Sequence, residues 1–156
     1  MEIKMNVSDH YVVSEVELIY KPKVKASQRP KIQSSRDAAN LLRQLWDPNK
    51  IDFIEQFKIL LLNRSNSVLG MVEISTGGVT GTVVDCKLIF VAALKANACN
   101  LVISHNHPSG NLKPSKADEE LTQKIKEAGK FLDIRLHDHI IVTSESYFSF
   151  ADEGLI

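Results

Sequence analysis

The spacing of apolar residues switches between two and three-to-four along this chain, and each switch marks an element. Tyr11 to Tyr20 (YVVSEVELIY) is rich in β-branched and aromatic residues and predicts a strand. Ser34 and Ser35 are helix-capping residues with Asp37 in the first turn. Ala38, Leu41, Leu42 and Leu45 follow at helical spacing until Asp47-Pro48-Asn49 stops the helix. Ile51 to Asn63 (IDFIEQFKILLLN) predicts a core strand with Phe53, Glu55, Phe57, Ile59 and Leu61 on one side. Asn63 to Ser67 has turn chemistry, and Val68 to Ser75 predicts the second arm of a hairpin. Asp85 can cap Cys86 to Asn97, whose residues are apolar nearly all round and predict a deeply packed helix. Cys99 to Ser104 predicts a buried strand. Ala117, Leu121, Ile125 and Ala128 form one stripe of a helix from Ser115 to Ala128, with Gly129 as its C′ residue. Leu132 to Thr143 predicts one or two strands, against which Tyr147, Phe148 and Phe150 pack back.

The order β-α-β-β-α-β-α-β combines a hairpin with crossovers, so the fold class is α/β, a mixed sheet flanked by helices. The chain divides into residues 1–33, an N-terminal strand and basic linker, and residues 34–156, one domain with a core of its own. Lys21 to Arg36 carries six basic residues and no acid. No aromatic residue is interleaved for base stacking, which favours a solvated linker or an edge strand blunted by lysine and proline over a nucleic-acid patch. Gly77, Gly78 and Gly81 mark a loop, but neither the P-loop nor the dinucleotide pattern is present, so a phosphate cradle is rejected there.

Composition narrows the function classes. The 156 residues carry 19 basic and 19 acidic side chains, a formal net charge of +0, so no global pull toward nucleic acid or membrane follows. The first ten residues have no apolar signal region, and no apolar run approaches membrane-span length. Cys86 and Cys99 lack the spacing of a zinc knuckle or a redox pair and read as buried thiols in a reducing compartment. The expectation is a cytoplasmic protein.

The chemistry-bearing stretch is Ser104-His105-Asn106-His107-Pro108-Ser109-Gly110, running on to Ser115 and Asp118. Two histidines two residues apart at a strand end point to the same side. Asp118 falls one turn into the next helix. Two imidazoles and one carboxylate with a gap for water form a common catalytic zinc set. Ser115 with Asp118 also makes a helix capping box, which needs no metal. Glu55 is either a carboxylate whose pKa is raised among apolar neighbours or a solvated residue at a strand entrance.

The pattern His-x-His-Pro-…-Ser-x-x-Asp resembles the signature of the JAMM (MPN/JAB) metalloproteases. The longer string HNHPSG-…-PS-x-x-D, with DHIIV further on, resembles their RadC-type branch. The resemblance covers about Ser34 to Ile156. It implies the JAMM fold, similar to the cytidine-deaminase α/β/α sandwich. It further implies one Zn²⁺ per chain on His105, His107 and Asp118, with Glu55 as the proton-transferring base and Ser115 as oxyanion donor. The implied reaction is hydrolysis of a peptide or isopeptide bond in a polypeptide substrate. Asp138 is a candidate for orienting a ligand imidazole, and His139 reads equally as a satisfied histidine on the strand.

Rival readings fit less well. The three consecutive letters HNH do not match nucleases in which those residues are dispersed. A zinc deaminase needs His-x-Glu and Pro-Cys-x-x-Cys, which are absent. The chain is too short for an amidohydrolase barrel. A DNA-associated RadC-like repair or binding protein without peptidase activity is the alternative. The helix-hairpin-helix region of longer relatives has no counterpart in the roughly thirty residues before the first helix. A scaffold that had lost activity ranks last, because Glu55, His105, His107, Ser115 and Asp118 are all present.

Overall fold

The structure, a computed structural model, describes residues 12–78 and 83–156. Its elements are α1 (Ser35–Leu45), β1 (Gln56–Leu62), β2 (Val68–Thr76), α2 (Cys86–Lys95), β3 (Asn100–Asn106), α3 (Lys116–Phe131), β4 (Arg135–Val142) and β5 (Tyr147–Ser149). The strands form one sheet in the order β2-β1-β3-β4-β5. β1 pairs antiparallel with β2 and with β3, and β4 with β5. β3 and β4 are parallel, joined by α3 as the crossover such a pair requires. This is the mixed α/β sheet that the element order implied.

Strand alternation divides the apolar residues into two cores. Phe57, Ile59 and Leu61 of β1 and Ile103 of β3 pack with Ile89 and Phe90 of α2 and Ile125 of α3. Leu60, Leu62, Val102, Ile140 and Val142 pack with Ala38, Ala39 and Leu42 of α1 on the opposite face. β1 is buried along its whole length, and only Gln56 and Lys58 of its seven residues are polar. Helices cover both faces, α1 on one and α2 with α3 on the other.

The helix starts follow the capping chemistry. Ser34 Oγ accepts from Asp37 N at 3.2 Å, and the Asp85 carboxylate accepts from Lys87 N at 2.9 Å.

Four expectations change. No strand forms over residues 12–20, Tyr11 lying outside the described residues; Val12, Val16 and Leu18 stand almost wholly in solvent. β-propensity alone does not make a strand, which needs a ladder partner and an apolar surface to cover. The segment touches the sheet where the Tyr20 hydroxyl donates to the Leu69 carbonyl, 2.6 Å away.

β1 begins at Gln56 rather than Ile51. The amides of Ile51, Phe53 and Ile54 are spent on local turn bonds to the Asp47 and Lys50 carbonyls, and Phe53 is exposed. α2 is not packed all round, since Leu88, Val91 and Leu94 remain about half exposed on its outer side.

Gly129 is not a C′ residue; α3 continues through it to Phe131. A Cβ there would lie 2.2 Å from the Ile134 carbonyl oxygen, so glycine admits the close pass of the returning chain. The left-handed turn falls instead on Asp133, φ 54°. Gly81, of the glycine loop, lies outside the described residues.

Candidate metal centre

β3 delivers the two histidines. Its pairing with the buried β1 sets Phe57 opposite His105, and the two rings lie parallel, 7° apart with centroids 6.2 Å from each other. His107 stands just past the strand, its amide donating to the Val142 carbonyl at 3.1 Å. Pro108 and Ser109 then turn the chain back, with Gly110 at φ +81° closing the turn onto the His107 carbonyl.

The loop returns to the N-terminus of α3, where Ser115 and Asp118 form a reciprocal capping box. Asp118 N donates to Ser115 Oγ at 3.1 Å, and Ser115 N to Asp118 Oδ2 at 2.7 Å. Asp118 Oδ1 is left facing His105.

The three side chains converge. His105 Nε2 lies 3.0 Å from His107 Nε2 and 3.3 Å from Asp118 Oδ1, and His107 Nε2 lies 3.9 Å from Asp118 Oδ2. Their ligand atoms all fall within 4.8 Å of one another. His105 is 2 % exposed and the other two are 16 %, so the group is closed on the sheet side and open on the loop side.

Hydrogen-bond direction decides what this cluster can hold. The Thr122 hydroxyl donates to the Asp118 carbonyl at 2.6 Å, so toward His139 Nδ1, also at 2.6 Å, it accepts. With its proton on Nδ1, neutral His139 has a bare Nε2, which accepts from His105 Nδ1 at 2.8 Å. The proton of neutral His105 is then on Nδ1 and its Nε2 is bare. His107 Nδ1 meets the Asn111 carbonyl at 2.5 Å, which only accepts, so neutral His107 also has a bare Nε2.

Two lone pairs and a carboxylate therefore face one another with no donor among them, the condition of a cation site. Burial alone would push the Asp118 carboxyl up. Against it, a protonated His105 would donate to the carboxylate and attract it by charge, and together with the cap bonds from Ser115 would hold the carboxyl well below the usual range. Burial holds the His139 imidazole well below its ordinary value and keeps it neutral.

Of the residues singled out from sequence, His105, His107, Ser115 and Asp118 come together. Glu55 is half-buried just ahead of β1 and shares the parity of Phe57. Gly77 N donates to its carbonyl at 2.9 Å, so the antiparallel pairing with β2 continues past Thr76 to hold it.

Asp138 is turned away. In the parallel register Asp138 sits beside Val102 and His139 beside Ile103, so alternation sends Asp138 to the α1 face and His139 to the face of His105. The Asp138 carboxylate accepts from Ser149 Oγ, Ala151 N and His139 N, and none of these is a ligand imidazole. The residue that orients His105 is His139.

Three supporting residues escaped sequence reasoning. His139 and Thr122 form the relay behind His105, with the His139 ring stacked on Phe150 at 4.5 Å. Asn106, between the two histidines, points to the other face. Its Oδ1 accepts from Gln56 N at 2.7 Å, and its Nδ2 donates to the Ile51 and Ile54 carbonyls at 2.7 and 2.8 Å. One buried amide thus ties the segment carrying Glu55 to the strand carrying both histidines. A buried polar residue sandwiched between two ligands was the available signal.

Comparison with known proteins agrees with this geometry. The sequence profile described as RadC-like JAB domain matches residues 32–155. A UPF0758 protein of Flavobacterium johnsoniae is 44% identical over 127 residues, covering 80% of this chain and 53% of the relative. Another from Clostridium acetobutylicum is 35% identical over 133 residues, 85% of this chain and 56% of the relative. The chain spans about half the length of these curated relatives. Among the described residues no helix is long and apolar enough to cross a membrane.

Proposed function

The chain belongs to the RadC-like JAB domain family, and from that premise we propose that it is a zinc-dependent hydrolase cleaving a peptide or isopeptide bond in a polypeptide. The observation that carries the reading is the convergence of His105 Nε2, His107 Nε2 and an Asp118 oxygen within 4.8 Å, two of them bare acceptors by the bonds behind them. Three ligands of this kind suit one zinc ion with an open position.

Zinc bound there supplies a Lewis acid and lowers the pKa of a water to about 7. The chain's own residues do the rest. His139 and Asn111 hold the two imidazoles in the tautomer that presents Nε2. The Glu55 carboxylate takes the proton of the attacking water and passes it to the departing nitrogen. Ser115 Oγ accepts from Asp118 N as helix cap, which leaves its own proton to donate to the oxygen that gains charge in the tetrahedral intermediate. The exposed edges of His107 and Asp118 leave the approach on the loop side open to an extended chain.

The experiment is metal content per chain for wild type and for His107→Ala. One zinc per chain, lost in the variant, supports the site and justifies a search of peptide libraries with Glu55→Gln as the inactive control. A wild-type protein that takes up no metal from added zinc sinks the hydrolase reading.

A further inference from the structure

A cavity of about 900 Å³ opens at the other end of the sheet. Asn100 lines it, at the opposite end of β3 from His105, so strand rise alone separates the two places by about 17 Å. Its charged lining is Arg64 from the β1–β2 turn, Lys126 and Lys130 from α3, and Arg135 from the start of β4, against one carboxylate side chain, Asp133. In a chain of formal net charge +0 this is a local concentration of one sign.

Part of it has an ordinary explanation. Lys126 and Lys130 sit in the last turns of α3, where cations complement the helix dipole, and Lys130 pairs with Glu127 at 3.0 Å. That account does not reach Arg64 and Arg135, which arrive from separate parts of the chain. Among the described residues neither they nor Lys126 have an ion-pair partner. Burial and the charge of Arg135 hold the half-buried His137 imidazole below its ordinary value. Its Nε2 meets Asn66 Oδ1 at 2.9 Å, an oxygen that also accepts from Asn100 Nδ2.

Unpaired guanidinium groups converging on a concavity are the usual means of holding a phosphate, through forked, charge-assisted hydrogen bonds. The volume is larger than a bare phosphate needs and lies in the range of small-molecule sites. Leu136 and Ile156 add apolar lining for an organic body. We propose that this cavity binds a small phosphate-bearing organic molecule, with Arg64 and Arg135 on the phosphate and the body against the apolar lining. The inference stands apart from the proposed hydrolase, since it uses none of its residues.

The experiment is calorimetric titration of the chelator-treated full chain with adenosine diphosphate and with adenosine. The diphosphate should bind at least about tenfold more tightly than the nucleoside, and Arg64→Gln with Arg135→Gln should weaken it by about tenfold or more. Both arginines are exposed, so the double variant keeps its fold, which circular dichroism verifies; Arg135→Glu alone should weaken binding in the same direction. His107→Ala should bind as wild type does. Equal affinity for the two probes, no heat with the diphosphate, or an unaffected double variant would overturn the proposal. So would binding lost in His107→Ala, or binding of duplex DNA alone.

Discussion

His105 Nδ1 and His139 Nε2 meet at 2.8 Å inside the protein, and His139 Nδ1 meets Thr122 Oγ1 at 2.6 Å. The relay ends on the Asp118 carbonyl, so the backbone of one candidate ligand orients the side chain of another. Thr122→Val keeps the shape and removes the acceptor of His139. Zinc affinity, measured against a competing chelator, should fall by about 10–100-fold. In the metal-free protein the unpaired, buried imidazole N–H should cost about 1–3 kcal/mol of unfolding free energy. Unchanged affinity in a folded Thr122→Val protein would remove the relay's role.

Asn106 offers a second test, because its three hydrogen bonds all cross from β3 to the start of β1 and the segment ahead of it. Asn106→Ala leaves two carbonyls and one amide without these partners. We expect a loss of about 2–4 kcal/mol in urea unfolding. Amide exchange at Gln56 should accelerate more than at Ile59 in the strand interior. Equal acceleration at both would show a global loss only.

Gly129→Ala places a methyl group 2.2 Å from the Ile134 carbonyl oxygen. The obstacle is backbone, so the α3–β4 connection has to shift. A destabilisation of about 2–4 kcal/mol is expected, large for so small a side chain. A neutral substitution in denaturant titration would mean the turn relaxes freely.

His137 predicts a pH dependence. Burial, then the Arg135 charge, lower its folded-state pKa below the unfolded value of about 6.5. The folded protein therefore binds this proton less readily than the unfolded chain. Its contribution to stability is fully present above about pH 6.5 and is lost as pH falls through the folded value. Unfolding free energy should drop more steeply between pH 7.5 and 5.5 in wild type than in His137→Asn. Parallel pH profiles for the two proteins would contradict this.

Much of the centre was legible because it is short-range. His105 and His107 are two residues apart on extended chain, and Ser115 and Asp118 one helical turn apart, so local geometry pre-sets each pair. The apolar periodicities of α1 and α3 and the apolar runs at the centres of β1 and β3 were likewise local. Where local preference lacked a partner it misled. Residues 12–20 have strand-forming side chains and no ladder.

The sequence by itself determined the candidate ligand residues, the helix caps around them and the alternation that makes a mixed sheet, since each depends on neighbours within a turn or a pleat. Only the tertiary structure decided which supporting residue stands behind His105. That choice rests on the β3–β4 register, with its irregularity between Leu101 and Val102, and a shift of one residue would exchange Asp138 for His139. Asn106's reach to Ile51 and Ile54, the carbonyl pressed against Gly129, and the gathering of Arg64 with Arg135 are also tertiary facts. Each joins groups distant along the chain, and no local rule fixes how close such groups come.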